Sequence, residues 1–279
     1  MNCSALSALE TLARSLALGA RLELHLTPKP GLVDRVDSGA HADLSFAIMT
    51  QSIGIVSDYQ GALVLSLISD EPFSCQQQIA IDAESRMMSV LGTNTHKGYI
   101  FLAGMLLIAC WHAKTLEEAL LRKKLAELSA SFFQHAAEKT TNGSSVRKKF
   151  NARGIIAEAL EGFPSLFEVA LPAFRKCYAS STDYQQSAFY MMARLMQSVE
   201  DTTTLHRGGM SGLRQIREDG DALEQIIDQK GNYIQYLEAQ NQHYIRENLT
   251  MGGVADLMGL TFGYLIARDE IDDSLGCAD

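Results

Sequence analysis

Apolar positions along the chain recur with a period near 3.6 residues, the pattern of helices that bury one face. Leu6, Leu9, Leu12, Ala13, Leu16, Ala17 and Ala20 share such a face, which predicts one helix over 4–26, stopped by Pro28. Leu44, Ile48, Ile55, Tyr59, Leu63 and Leu67 predict a second over 40–69, with a break at Gly54 or Gly61 and Pro72 closing it. A third covers 76–91, with Gly92 as a left-handed cap, followed by 98–113 and 115–139. The polar run 140–145 (TTNGSS) reads as a flexible loop. Helices follow over 146–160 and 165–178, around Gly162-Phe163-Pro164, and then over a methionine-rich 183–200. Thr202–Gly212 reads as a glycine-containing loop, 213–248 as one or two helices, and the last helix runs from Gly252-Gly253 to about Ala267. No segment alternates with period two and hairpin turn pairs are absent. The expected fold is all-α: a single globular multi-helix bundle, one domain over 1–279, with its site formed by loops at helix ends.

The polar residues that interrupt this pattern fall at helix junctions. The first junction, Thr27 to Asp43, holds two prolines around Lys29, then Gly31, Asp34, His41 and Asp43. Proline excludes helix here and drives each preceding residue toward extended backbone, so a stiff loop is predicted. The other junctions are Thr93–Gly98, Asn151–Gly154, Asp201–Gly209 and Gly252–Asp256, several directly before a helix. A helix N-terminus offers unpaired N–H groups and the positive end of its dipole, which favours anions. Asn94, His96 and Lys97 add donors there, and Arg207 beside Gly208 and Gly209 adds a guanidinium fork suited to phosphate oxygens. Carboxylates interleave with these groups (Asp34, Asp43, Glu84, Asp201, Asp256). They would repel a polyphosphate unless a divalent cation lay between, and magnesium is commonly held by one or two carboxylates plus substrate phosphates. Taken singly, each cluster also suits ordinary capping or a solvated surface. Together they predict a magnesium–nucleotide site.

Composition narrows the partners. The 279 residues are ample for a large core, and a formal net charge of −9 argues against nucleic acid. Five cysteines without CxxC spacing read as reduced thiols in a cytoplasmic protein. No signal peptide is expected, and the most apolar run, Tyr99 to Trp111, is too short to span a membrane and reads as a buried helix. Walker A, GxGxxG and HExxH motifs are absent.

The junctions together resemble the triphosphoribosyl-dephospho-CoA synthase family. The resemblance rests on TPKPGLVDR (27–35) with Glu23 upstream, GAHADL (39–44), and NTHKG (94–98) preceded by Glu84. It continues through NARG and GFPS (151–165), DTTTLHRGG (201–209) and GGVADL (252–257), in the family's order. The chain departs from the family at Thr203, where asparagine is usual, and at Thr250-Met251 before Gly252-Gly253. The resemblance implies pentosyl transfer from ATP to the ribose 2′-hydroxyl of 3′-dephospho-CoA with release of adenine, in the biosynthesis of a carrier-protein prosthetic group. It implies Lys29, Asn94, His96, Lys97, Arg153, Arg207 and the Gly208-Gly209 backbone as phosphate contacts, and Asp201 and Asp256 as Mg²⁺ ligands. Asp34 or Asp43 is then the base, with Glu84 or His41 orienting or protonating. A related transferase with another acceptor alcohol, and a non-catalytic nucleotide binder, are the competing readings.

Overall fold

The computed structural model describes residues 3–133 and 154–272. Among them are eleven α-helices and one π-helical turn, and no strand. The helices are α1 (Cys3–His25), α2 (Phe46–Ile68), α3 (Phe73–Leu91), α4 (Lys97–Ala113), α5 (Glu118–Phe133) and α6 (Gly154–Leu160). After the π turn (Ser165–Ala170) come α7 (Leu171–Ser181), α8 (Tyr184–Ser198), α9 (Thr202–Asp228), α10 (Tyr233–Arg246) and α11 (Gly252–Ala267).

Two helices form the axis of the core. In α4 nearly every residue from Tyr99 to Cys110 is buried, and in α11 every residue from Leu257 to Ala267. A helix that is apolar on all sides must be covered on all sides. The principal cover is α1, which lies against α11 at backbone distance: a Cβ on Gly19 would sit 2.2 Å from the Gly259 carbonyl oxygen and 2.3 Å from the Gly263 nitrogen. Packing this close fixes the register of α1 against α11, so the N-termini of α4 and α11 and the C-terminus of α1 are held together. The pairs α1–α2, α2–α3, α7–α8 and α8–α9 build outward from there. Among the described residues no single helix is long and apolar enough to cross a membrane.

Several boundaries differ from the sequence pattern. The second helix begins at Phe46, not 40, because the Ser45 side chain accepts from the Ile48 amide and caps it. It runs unbroken through Gly54 and Gly61. Thr202–Gly212 is helix rather than loop, because Asp201 caps it and the glycine pair only kinks it, Gly209 having φ 60 and ψ −158. The expected 213–248 segment divides at Gln229–Asn232 into α9 and α10. The turn before Pro172 widens to π geometry, which relieves the clash between a proline ring and the carbonyl four residues earlier. The 140–145 loop, and most of the helix expected over 146–160, lie outside the described residues.

Candidate active site

Four junctions meet at the ends of α1, α4, α9 and α11, and the loop 26–45 is the scaffold among them. Leu32 donates to the Lys29 carbonyl and Ala40 to the Gly31 carbonyl, so the loop folds back on itself. Gly31 has φ 68, and a Cβ there would lie 2.2 Å from the Leu249 carbonyl oxygen, so both conformation and space demand glycine. Asn241 of α10 accepts from the Gly31 amide at 2.9 Å and donates to Asp37 at 2.8 Å, which ties the loop to the rest of the fold.

Lys29 does not project from this loop. It is fully buried, and its ammonium donates to the Glu23 carbonyl at 2.6 Å and to the Glu23 carboxylate. Burial raises the Glu23 carboxyl above its usual range, with Lys29 opposing that rise. Asp34 is also buried: Oδ2 accepts from the Lys29 amide at 3.0 Å, and Oδ1 from the amides of Val36 at 2.8 Å and Asp37 at 3.2 Å. Both its oxygens thus accept from the turn.

The second group of charges faces outward. Lys97, at the start of α4, pairs with Glu84 of α3, and the Asn94 amide donates to the same carboxylate at 3.4 Å. Asp43 is exposed and accepts from the Thr93 hydroxyl at 3.3 Å. His96 is buried beside them, its Nδ1 2.6 Å from the Ser52 hydroxyl of α2 and 3.0 Å from that of Thr95. Burial, then the nearby Lys29 charge, lowers the His96 pKa to about 4.

Arg207 reaches across from α9 and fixes His41. It donates to the Ala40 carbonyl, to Asn248 at 3.0 Å and to His41 Nδ1 at 3.1 Å. A guanidinium only donates, so His41 Nδ1 accepts and Nε2 carries the proton, which it gives to the Thr250 hydroxyl at 3.0 Å. Burial and Arg207 lower the His41 pKa to about 4. Near neutral pH the ring is held neutral, with its proton on Nε2 directed at Thr250. Gly208 lies in the second turn of α9, and Gly209 is the non-helical residue of its kink.

Asp201 is buried and serves as a cap. Oδ1 accepts from the amides of Thr203 at 2.8 Å and Thr204 at 3.0 Å, and Oδ2 from Val254 at 3.0 Å, so one carboxylate closes the N-termini of both α9 and α11. Asp256, one turn into α11, is partly exposed and lines a cavity of about 70 Å³ with Glu23, His41, Thr95, His96 and Tyr99. Burial of the group, then the carboxylates of Asp201 and Glu23, pushes it well above the usual carboxylate range. Gly98 makes room for it: a Cβ there would lie 2.1 Å from Asp256 Oδ2. Among the described residues no cluster of three or more His, Cys, Asp or Glu side chains is arranged to hold a metal ion. Asp201, committed to backbone amides, does not fit a metal-ligand role. Asp256 fits a single carboxylate contact to an ion that a substrate carries in.

The structure thus brings together Asp43, Glu84, Asn94, His96, Lys97, His41, Arg207 and Asp256, and withdraws Lys29, Asp34 and Asp201 into the scaffold. Arg153 lies outside the described residues. Ser52 and Thr250 escape a sequence reading, because a serine on an apolar helix carries no signal of its own. Glu23 does carry one, a carboxylate on the inward face of α1.

The CitG family, described as ATP:dephospho-CoA triphosphoribosyl transferase, matches residues 9–273. A probable 2-(5''-triphosphoribosyl)-3'-dephosphocoenzyme-A synthase of Acinetobacter calcoaceticus is 29% identical over 259 residues, covering 89% of this chain and 88% of that protein. One of the same description from Streptococcus pyogenes serotype M49 is 34% identical over 275 residues, covering 88% of this chain and 93% of that protein. A third, from Vibrio cholerae serotype O1, is 29% identical over 265 residues, covering 86% and 83%. No solved structure matches the chain.

Proposed function

The chain belongs to the CitG family of ATP:dephospho-CoA triphosphoribosyl transferases, and we propose that it transfers the triphosphoribosyl group of ATP to the 2′-hydroxyl of 3′-dephospho-CoA. The bond from the ATP ribose C1′ to adenine N9 breaks, and a bond from C1′ to the acceptor's 2′-oxygen forms. The bonding pair leaves with adenine, which takes up a proton, and the hydroxyl proton passes to a base, so protons balance overall. Such a centre develops oxocarbenium character, so it calls for a nearby negative charge, a base and an oriented hydroxyl.

One observation carries this reading: Asp43 and Glu84 bond to the 93–97 segment, whose His96 lines one small cavity, and Arg207 bonds to His41 on the wall of the same cavity, so four separate segments of the chain meet there. Asp43 is the base, because Asp34 is buried with both carboxylate oxygens accepting from backbone amides, whereas Asp43 is exposed. Lys97, Arg207 and the N-terminus of α4 hold phosphate oxygens, and Asn94 orients them. Lys97 must then exchange Glu84 for phosphate when ATP binds. Asp256 would offer one carboxylate contact to a magnesium ion carried by ATP, and that ion would neutralise triphosphate charge. The thiols of Cys75, Cys110 and Cys177 are unpaired, which supports a cytoplasmic setting.

The test is direct. Protein incubated with ATP, Mg²⁺ and 3′-dephospho-CoA should release adenine and add a triphosphoribosyl mass to the acceptor, both read by mass spectrometry. Adenine without the adduct would exclude this acceptor, and neither product would exclude the transfer.

A further inference from the structure

The cavity at the helix ends, at about 70 Å³, is far below the ~300–1,000 Å³ of sites that hold a drug- or cofactor-sized ligand. The bulk of two nucleotides must therefore lie in adjoining space. A cleft of about 230 Å³ beside the start of α9 is lined by Glu158, Glu200 and Asp201, the wrong sign for a polyanion. A groove of about 850 Å³ between α1 and α2 has the right one. It adjoins the cavity at the first turn of α2, where Leu44 and Met49 line the cavity and Phe46 and Thr50 the groove.

Two independent features of this groove point to a ligand. First, Arg14, Arg21 and Arg35 line it together with His25, and no carboxylate does, in a chain whose net charge is −9. Arg14 and Arg21 are two helical turns apart, so they space positive charge along about 10 Å of α1. Second, Gln60 lines the groove and is buried, yet neither its amide nitrogen nor its amide oxygen has a hydrogen-bond partner. A buried primary amide seeks both a donor and an acceptor. Between these features Ala13, Ala17, Leu18 and Ile53 give an apolar floor beside the hydroxyls of Thr50 and Ser57, and a Cβ on Gly54 or Gly61 would meet nothing within 4 Å.

A triphosphate offers no use for an apolar floor or a buried amide. A pyrophosphate that continues into an amide-linked aliphatic arm uses all three. We propose that the α1–α2 groove binds the phosphopantetheine end of the acceptor, with the arginines on its pyrophosphate and Gln60 on an amide of the arm. This rests on 3′-dephospho-CoA being the acceptor. It places the acceptor's adenosine toward the first turn of α2, with its 2′-hydroxyl at the mouth beside Asp43. The donor triphosphate keeps to Lys97 and Arg207.

The glycines supply the test, since both line the groove and a Cβ at either position meets no atom within 4 Å. Gly54→Leu and Gly61→Leu should fold as the parent does by circular dichroism and keep its unfolding temperature. Calorimetry should show affinity for 3′-dephospho-CoA and for 4′-phosphopantetheine falling about tenfold or more, a loss of some 1.4 kcal/mol, with ATP affinity unchanged. Unchanged acceptor affinity in both variants overturns the proposal. So does a change confined to the oligomeric state by sedimentation, which would make the groove a contact between copies. Should a leucine variant fail to fold, Arg14→Glu and Arg35→Glu decide by the same titrations. Phosphopantetheine binding that the leucines abolish, in a protein forming no adduct, would uphold the groove and sink the transfer. Adduct formation with parental acceptor KM in the leucine variants would do the reverse.

Discussion

Two sets of charges, alike in composition, do opposite work in this molecule. Glu23, Lys29 and Asp34 form one; Glu84, Lys97 and Asp43 form the other. In the first set Lys29 has no exposed surface, and its ammonium bonds Glu23 while Asp34 accepts from amides of the 26–45 loop. In the second, the Lys97 side chain is 53% exposed and its pairing with Glu84 is open to exchange. A buried pair is costly to break and slow to leave, whereas an exposed pair contributes little and yields readily to a ligand. The first set therefore holds the loop in place and the second is available for chemistry, although the two lie on neighbouring walls of one site.

The contrast can be broken most forcefully at Lys29. Lys29→Met leaves the Glu23 carboxylate buried without its partner, which should cost about 3–5 kcal/mol of stability in urea unfolding. Replacing both residues with methionine should recover most of that loss. If the single variant were as stable as the parent, the buried pair would not be the loop's anchor.

Next come the two aspartates. Asp43→Asn should lower turnover about 10²–10⁴-fold with the unfolding midpoint unchanged, as loss of a general base does. Asp34→Asn presents an NH₂ to backbone donors and should cost about 1–3 kcal/mol in stability. Parallel assays of turnover and unfolding separate the two, and a reversed pattern would exchange their roles.

Asp201→Ala uncaps α9 and α11 at once. The lost caps and the orphaned Val254 amide should together cost about 2–3 kcal/mol, measured by denaturant unfolding. An Asp201 that served chiefly as a metal ligand would lose activity with little change in stability.

Acid sharpens the comparison further. The folded state holds His96 at a pKa of about 4, while the unfolded chain binds its proton near pH 6.5. Between those values the unfolded state binds more protons, so this residue's contribution to stability is present above pH 6.5 and is lost as pH falls toward 4. Raised carboxyls such as Glu23 and Asp256 titrate in the opposite sense. The readout is thus the difference between the parent and His96→Asn, whose stability should fall less steeply between pH 6.5 and 4. Smallest of all is Arg86→Ala. It removes an exposed pair with Asp58 at 2.7 Å and should shift stability by less than about 1 kcal/mol and leave turnover alone.

Much of the fold was legible from the pattern. The all-α class follows from periodicity, and the apolar runs 98–113 and 252–267 appear as the buried helices α4 and α11. Two of the differences share a cause. The start of α2 and the helical state of Thr202–Gly212 were misread because single hydrogen-bonding side chains, Ser45 and Asp201, decide those boundaries. Composition at Thr202–Gly212 suggests a loop, and a cap outweighs it.

For the site, the sequence by itself determined which residue types gather at which helix junctions, because prolines, glycines and charges must interrupt an apolar period somewhere. It also determined the family, since the ordered set of motifs spans nearly the whole chain. What only the tertiary structure decided is which charges face inward. Lys29 and Lys97 are alike as letters, and so are Asp34 and Asp43. The close seating of α1 on α11 at Gly19 and Gly263 brings Glu23 under the loop, and Lys29 and Asp34 turn in to meet buried partners. Asp43 and Lys97, with no such partner beneath them, stay in solvent. Burial depends on what lies across the fold, and no local stretch of sequence contains that.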